Sequence, residues 1–256
     1  MTAEVTTLRT SFVVASAVVA ALLVTDLNSF EVEPRRLNDA ITVRVRWRVI
    51  GRSTDGRRIR AIGIGDPHSS RSVLVVGSIH GNEGAGKKIV KALRNQRPPA
   101  DLNLWIIPDL NPDGSIAGTR QNGRGVDLNR NFRRGWRRLG ERWDTYYSGP
   151  RPFSEPESRA ARRFIIDVHP DLTIWYHQAM RLVDRTGPGR RFRRRYARIS
   201  GLPLRPIGPL PGTATRWQNH RFKRDVAFVV ELPAGALTWR SARRHTRAVR
   251  TVGRMQ

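Results

Sequence analysis

Uninterrupted apolar runs constrain the fold of this chain more than any other feature of its sequence. The runs are "SVLVVGSI" (72–79), "LNLWIIP" (102–108) and "VAFVVEL" (226–232). Runs of this length favour strands buried on both faces, as in parallel sheets. Helical segments are predicted between and after them, at 84–95, 154–168, 187–200 and 239–250. This alternation predicts an α/β fold, a three-layer α/β/α sandwich around a mixed, largely parallel central sheet.

The residues before the first apolar run follow a different pattern. "TVRVRWRVIG" (42–51) alternates apolar residues with arginine, which is typical of a strand with one solvent-facing side. Turn residues and the run "IRAIGIG" (59–65) follow, so the two segments are predicted to form a hairpin. A further strand is predicted at 172–177, and loops rich in proline and glycine at 109–114 and 201–213.

The composition limits the chemistry that is available. The 256 residues include 47 Lys and Arg against 21 Asp and Glu, for a formal net charge of +26. Such a surface attracts anions, although solvated arginines on helix faces would give the same composition. The basic runs lack interleaved aromatic residues, so no specific nucleic-acid partner is expected. The absence of cysteine excludes disulfides, thiolate metal sites and a cysteine nucleophile.

The N-terminus predicts export. "SFVVASAVVAALLV" (11–24) is uncharged and has the length of the apolar part of a secretory signal, short for a membrane span. We expect residues 1–30 to form a signal or membrane anchor, 25–41 a linker, and 31–256 a single catalytic domain. The alternative is a buried core helix. The expected location of the chain is therefore extracytoplasmic, either secreted or anchored.

The segment "SIHGNEGAG" (78–86) places His80 and Glu83 three residues apart, on a turn that follows a predicted strand. A catalytic zinc commonly has three protein ligands and one exchangeable water. The best third ligand is His177, because it ends a buried strand where a rigid scaffold can aim it. A lone H-x-x-E is a common structural pattern, so the motif needs support from elsewhere in the chain.

Two further features are arginines in a polar, glycine-rich loop and a glutamate at the end of an apolar strand. The loop "GTRQNGRGVDLNRNF" (118–132) carries Arg120 and Arg130, and arginine forks bind carboxylates in a bidentate manner. Glu231 stands at the end of an otherwise apolar strand, where an unpaired carboxylate would be costly to bury. Either it pairs with an arginine, or it is a base at a metal site with a raised pKa. The loop arginines could equally be solvated.

Taken in order, these motifs resemble the zinc metallocarboxypeptidases of the carboxypeptidase A/B type. The matching residues run over roughly 42–250; they are "HGNE" (80–83), "NPDG" (111–114), Arg120, "GVDLNRNF" (125–132), His177 and "VVEL" (229–232). The short form of the chain and "ELPAG" after the glutamate look closer to the bacterial branch that contains murein peptide amidase A. The resemblance implies an α/β carboxypeptidase fold and one Zn²⁺ per chain.

The resemblance also implies roles for eight side chains. They are the zinc ligands His80, Glu83 and His177, the general base Glu231, the oxyanion-stabilising Arg120, the pair Asn129 and Arg130 that binds the substrate's terminal carboxylate, and Asp127, which orients His80. For Asp127, a loop-capping role is the alternative. Gln178 follows the ligand histidine where the animal digestive members have serine, and Tyr196 is the only tyrosine between His177 and Glu231. These departures leave the substrate preference open.

The predicted function is a zinc-dependent metallocarboxypeptidase or peptide amidase that hydrolyses a terminal amide bond, with peptidoglycan stem peptides as the expected substrate. The alternative is an N-acyl-amino-acid deacylase similar to the desuccinylases and aspartoacylases, which share the H-x-x-E…H arrangement. A third hypothesis is a basic wall- or nucleic-acid-binding protein without activity. The expected partners are a peptide or muropeptide substrate and an anionic cell-envelope polymer, and the oligomeric state stays open.

Overall fold

The computed structural model describes residues 45–255. The segments predicted as a signal or anchor (1–30) and as a linker (25–41) lie outside these residues. Within the described part of the chain, no helix has the length and apolar character needed to cross a membrane. The strands found there are β1 Arg46–Arg52, β2 Arg58–Gly65, β3 Ser72–Val76, β4 Asn103–Ile107, β5 Leu172–Asp184, β6 Leu204–Arg205 and β7 Val226–Pro233. The helices are α1 Gly86–Arg94, α2 Pro112–Ala117, α3 Pro156–Val168, α4 Arg190–Ser200, α5 Ala214–Arg221 and α6 Trp239–Gly253.

The described strands form one mixed sheet in the order β1-β2-β4-β3-β5-β6, with β7 paired to β5. Strands β1 and β2 make the predicted antiparallel hairpin, and β2 is also antiparallel to β4. All other pairs, from β4 across β3 to β5, β6 and β7, are parallel. The chain's apolar runs therefore occupy the centre of the sheet, where both faces are covered.

Helices cover both faces of the sheet. Helices α1, α4 and α6 pack on one face, against alternate residues such as Val73 of β3 and Phe228 of β7. Helices α3 and α5 pack on the other face, against the intervening residues such as Leu74 and Val229. Each buried aliphatic or aromatic side chain stabilises the fold by about 1.5–3 kcal/mol. The predicted three-layer α/β/α sandwich is confirmed.

The structure corrects four local predictions. "NPDG" begins helix α2, because Pro112 stands in its first turn and the Asn111 side chain accepts a hydrogen bond from the Gly114 amide at 3.0 Å. Helix α3 begins at Pro156 after its N-cap Glu155, two residues later than predicted. Strand β5 continues seven residues past His177, and helix α5, capped by the Thr213 hydroxyl, follows a loop that itself contains the short strand β6.

A buried polar chain joins the sheet to the layer formed by α1, α4 and α6. The hydroxyl of Tyr196 lies 2.7 Å from the Tyr176 hydroxyl and 2.7 Å from Nδ1 of His245. All three side chains are buried. Tyr196 is thus a core residue and does not line the cavity over the predicted metal ligands. Burial and the nearby Arg244 lower the pKa of His245 from 6.5 to about 4.

This histidine predicts a pH-dependent stability. Between pH 6.5 and about 4 the unfolded chain binds a proton that the folded chain does not, so the free energy of unfolding falls as the pH drops through that window. Over this window the shifted pKa of His245 changes the free energy of unfolding by about 3 kcal/mol. Urea unfolding from pH 7 to pH 4.5 should show a smaller decline for His245→Gln than for the wild type. The exposed His68→Gln is the control and should keep the wild-type decline; equal slopes in all three proteins would contradict the prediction.

Candidate active site

Strand periodicity and register bring His177 and Glu231 to one side of the sheet. His177 lies on the same face of β5 as Trp175, and Glu231 on the same face of β7 as Val229; both of these apolar residues pack in the α3 and α5 layer. His177 and Glu231 are directly paired in the parallel register of β5 and β7. An imidazole and a carboxylate are therefore held next to each other by backbone pairing that extends along most of β7.

The loop after β3 supplies His80 and Glu83. It is held closely against its surroundings: a Cβ atom added at Gly81 would lie 1.9 Å from the carbonyl carbon of Gly114, and one at Gly86 would lie 2.0 Å from the Gly77 carbonyl oxygen. The Glu83 amide donates to the His80 carbonyl at 3.1 Å, which closes the turn. Only glycine allows backbone segments to approach so closely, and the approach turns both ligand side chains inward.

The three predicted ligands converge. Nδ1 of His80 lies 2.9 Å from Oε1 of Glu83, Nδ1 of His177 lies 2.9 Å from Oε2 of Glu83, and the two Nδ1 atoms are 3.1 Å apart. Donors that bind Zn²⁺ tetrahedrally at 2.0–2.1 Å are about 3.3 Å apart. All three side chains are buried. A His-Glu-His set with this spacing fits a catalytic zinc, and no thiolate is available for another class of zinc site.

Asp127 joins the ligand set to the arginine loop. Its Oδ1 lies 3.0 Å from Nε2 of His80 and accepts a hydrogen bond from the Asn129 amide at 2.8 Å, so it both orients the imidazole and caps the short 3-10 helix Leu128–Arg130. The two roles weighed for this residue are thus compatible. Burial raises the pKa of Asp127, but His80 and Arg120 outweigh that effect and hold the pKa well below its usual range.

Arg120 lies against two of these carboxylates. Its Nη1 donates to Oε1 of Glu83 at 2.9 Å and its Nε to Oδ2 of Asp127 at 3.1 Å. The side chain remains 21% exposed and lines the cavity described below. Arg120 therefore fixes the orientation of a ligand and of the carboxylate behind a second ligand. Its assigned role at the oxyanion stays a prediction, and that role uses the exposed part of the guanidinium.

Asn129 and Arg130 lie beside His177. The Asn129 side-chain amide donates toward Nε2 of His177 at 3.3 Å and accepts from the Ala214 amide at 3.0 Å, which attaches the loop to α5. Nη1 of Arg130 donates to the Asn129 carbonyl at 2.8 Å. No ion pair engages Arg130 within the described residues, although it is buried. A largely desolvated, unpaired guanidinium in a cavity is a strong site for a carboxylate.

Glu231 is a buried carboxyl with one weak hydrogen bond, from the Met180 amide at 3.4 Å. Burial raises the pKa of Glu231, while His177 lowers it and Glu83 raises it further. A carboxyl group with a raised pKa is better suited to take and return a proton than an ordinary carboxylate. Of the two readings that the sequence offers, an arginine partner and a base near the metal, the observed contacts favour the second.

A cavity of about 600 Å³ opens over this centre. It contains Tyr146, which sequence reasoning missed: its ring lies 5.6 Å from the Arg120 guanidinium carbon and 5.0 Å from that of Arg130, and the side chain is 54% exposed. Tyr146 belongs to an irregular loop with no periodic pattern, so nothing in the sequence marked it. Its ring lies within cation–π distance of both guanidinium groups.

Three further cationic side chains, Arg134, Arg216 and Lys223, line the cavity. Arg134 and Lys223 both lower the pKa of His220, Arg134 more strongly. Arg216 lines the same wall and donates to the Leu210 carbonyl at 3.0 Å. Arg216 thus faces the cavity rather than bulk solvent alone, and Thr215 also lines it. The cavity as a whole favours a substrate with more than one negative charge.

Gln178, which departs from the serine of the animal enzymes, ties three segments together. Its backbone amide donates to Oε2 of Glu83 at 3.1 Å and its side-chain oxygen accepts from the Ala85 amide at 2.8 Å. The side-chain nitrogen donates to the carbonyls of Pro233 and Gly235, both at 2.9 Å. Gln178 therefore positions the ligand loop against the strand that carries Glu231.

Comparison with known proteins is consistent with this geometry. Residues 34–186 match the model of a family described as zinc carboxypeptidase; the matched range includes seven of the eight predicted site residues and ends before Glu231. Murein peptide amidase A of Escherichia coli K12 is 29% identical over 130 residues, which cover 46% of this chain and 54% of that protein. The catalytic chain of human carboxypeptidase N is 35% identical over 114 residues, 32% of this chain and 25% of that protein.

The structural neighbours have the same fold. The murein-tripeptide amidase of Escherichia coli O157 superposes with a TM-score of 0.67 at 24% identity, covering 82% of this chain and 92% of that one. Carboxypeptidase A of Helicoverpa armigera superposes with a TM-score of 0.70 at 19% identity, covering 82% of this chain and 67% of that one. The sequence alignments are shorter, and the chain spans about half the length of the murein peptide amidase that it matches.

Proposed function

The chain belongs to the zinc carboxypeptidase family, and from that premise we propose that it hydrolyses a terminal amide bond of a peptide with a metal-activated water. The observation that carries the proposal is the cluster of His80, Glu83 and His177, whose ligand atoms lie within 4.8 Å of one another in a cavity that also exposes Glu231. One Zn²⁺ held by these three residues would lower the pKa of a bound water and polarise the scissile carbonyl.

The protein's own residues divide the remaining work. Glu231 takes the proton of the attacking water and returns it to the leaving amine, a transfer for which a raised pKa is favourable. Arg120 offers the exposed part of its guanidinium to the developing oxyanion. Asn129 and Arg130 bind the carboxylate at the end of the substrate, so that only a terminal bond reaches the metal. Asp127 and Gln178 hold the ligands in place.

The carboxylate-binding role of Arg130 predicts a change in substrate binding. Arg130→Gln should raise KM for a peptide with a free terminal carboxylate by about 10–100-fold, because a hydrogen bond to a charged group contributes about 1.5–3 kcal/mol. The measurement compares KM for free and C-terminally amidated forms of one peptide, and the variant should lose the preference for the free form. The exposed Arg133→Gln is the control; an unchanged preference in Arg130→Gln would rule out the role.

We propose peptidoglycan stem peptides as the substrate. The relative named murein peptide amidase A and the cationic cavity wall both support an acidic, carboxylate-bearing peptide. The uncharged run 11–24 supports an extracytoplasmic location, either secreted or anchored to the membrane, where such peptides occur. The proposal thus joins two independent features, the charge of the cavity and the pattern of the N-terminal sequence.

Mass spectrometry of the reaction products tests the proposal. Zinc-loaded protein is incubated with defined muropeptides, with ordinary peptides of the same length, and with N-acyl amino acids. Release of a terminal residue from muropeptides supports the proposed function. Cleavage of ordinary peptides alone would retain the reaction and refute the substrate. Turnover confined to the N-acyl amino acids would favour the deacylase instead.

A further inference from the structure

A second concavity lies on the outer side of α6 and shares no lining residue with the cavity over the predicted metal ligands. It has a volume of about 670 Å³ and is lined by nine residues, none of them acidic and none apolar. Three are Gln96, Thr246 and Thr251, and the other six are arginines. We call it the α6 groove; its arginines are Arg240, Arg243, Arg244, Arg247, Arg250 and Arg254.

The spacing of the arginines follows the helix. Arg240, Arg243, Arg247, Arg250 and Arg254 recur at intervals of three or four residues, so their side chains share one face of α6. At 1.5 Å per residue this row extends about 21 Å along the helix axis. The opposite face of α6 packs into the core and supplies no countercharge to the groove. The groove is therefore a continuous linear row of positive charge.

Most of this charge has no partner among the described residues. Arg254 pairs with Asp101, with contacts of 2.6 and 2.9 Å, and Arg250 donates to the Arg97 carbonyl at 2.7 Å. The guanidinium groups of the other four arginines make no hydrogen bond or ion pair there. Like charges held this close repel one another, and a bound anion relieves the repulsion.

The surroundings of the groove reinforce the field. Helices α1, α4 and α6, which form the layer on this face of the sheet, contain no aspartate or glutamate. Helix α3, on the opposite face, contains Glu157 and Asp167 beside three arginines, and α5 on that face contains no acid. The helices of the layer that carries the groove therefore supply no carboxylate to neutralise its arginines.

We propose that the α6 groove binds a single chain of a phosphodiester-type polyanion, such as a phosphate-bearing polymer of the cell envelope. Arginine forks match phosphate oxygens in a bidentate manner, and a row of them suits a linear polymer with regularly repeated charges. The groove differs from a membrane-binding surface, which inserts Trp, Phe or Leu beneath its basic residues. Its lining contains none of these, and the ring of nearby Trp239 faces the Lys88 ammonium at 4.8 Å.

The test measures binding of short inorganic polyphosphate to the full chain over a series of salt concentrations. For single-stranded nucleic acids, each lost charge contact reduces the magnitude of the slope of log K against log salt by about 0.7. The triple variant Arg240→Gln, Arg243→Gln and Arg247→Gln should therefore reduce the magnitude of the slope by about 2. The control combines Arg52→Gln, Arg58→Gln and Arg60→Gln in the exposed β1–β2 hairpin, with the same loss of net charge. It should keep nearly the full slope.

Each outcome is decisive. If the two triple variants weakened polyphosphate binding equally, the groove would not be the binding site, because binding would then follow net charge alone. Binding of anionic phospholipid vesicles or duplex DNA in preference to polyphosphate, with the same dependence on the groove arginines, would overturn the proposed occupant. Peptide hydrolysis should be unchanged in both variants, so failure of this proposal and failure of the proposed catalytic function are separate results. Thermal unfolding checks that the exposed substitutions leave the fold intact.

Discussion

Glu231→Gln is expected to lower kcat by about 10²–10⁴-fold while zinc stays bound, because that is the usual contribution of general acid–base catalysis. Glutamine keeps the size of the side chain and its hydrogen bond from the Met180 amide but cannot accept the proton of water. Steady-state turnover of a cleaved peptide and the zinc content per chain, measured by elemental analysis, are the two readouts. The substituted side chain is buried, so a thermal unfolding scan accompanies them.

Asp184→Asn is the matched control for Glu231→Gln. Asp184 is another acid that lines the cavity, and it caps a neighbouring turn by accepting from the Thr186 and Ile207 amides at 2.8 and 3.0 Å. It lies at the end of β5, seven residues after His177. Its replacement should leave kcat within a few-fold of the wild type. Full turnover in Glu231→Gln, with normal zinc content, would remove the proposed base.

His177→Ala should remove the metal and, with it, all detectable turnover. The substitution deletes one of three donors and leaves the Glu83 carboxylate with a single imidazole neighbour, His80. The loss of zinc affinity should exceed the about 10–100-fold that loss of a ligand-orienting partner causes. Competition with a zinc-binding dye gives the affinity, and added zinc should restore little activity.

Asp127→Asn provides the graded comparison. It keeps the three donors but weakens the contact that orients His80, so zinc affinity should fall by about 10–100-fold and excess zinc should restore much of the activity. If His177→Ala and Asp127→Asn lost equal affinity, His177 would not be a ligand. If His177→Ala bound zinc as the wild type does, the whole metal centre would have to be placed elsewhere.

Two residues of the site were predictable because each is a polar residue in an otherwise apolar strand. His177 and Glu231 interrupt apolar strands, and a polar group in such a strand has few structural explanations. The layered fold followed from the alternation of strands and helices. The roles of Arg120, Asn129, Arg130 and Asp127 came from the family resemblance and not from local pattern.

The remaining features depend on tertiary contacts that leave little trace in the sequence. Helix α5 is short and buries little beyond Trp217, so no periodic pattern distinguishes it from the preceding loop. The pairing of Arg120 with Glu83 joins residues 37 positions apart, and Tyr146 reaches the cavity from an irregular segment. The α6 groove is a similar case, since the basic composition was visible but the helix packing was needed to show which face of α6 stays outside the core.

The close approach of Gly81 to Gly114 has a consequence for protein engineering. The two segments that meet there are separated by a whole strand and helix. A methyl group at Gly81 would collide with the backbone of Gly114, and one at Gly114 would collide with the Gln121 carbonyl and the Asn111 side chain. A metal-binding loop transplanted into another scaffold without the "NPDG" segment would lose the backbone against which Gly81 packs. Directed-evolution libraries that vary one of these segments should therefore vary both, and single substitutions at either glycine are expected to be depleted from any functional pool.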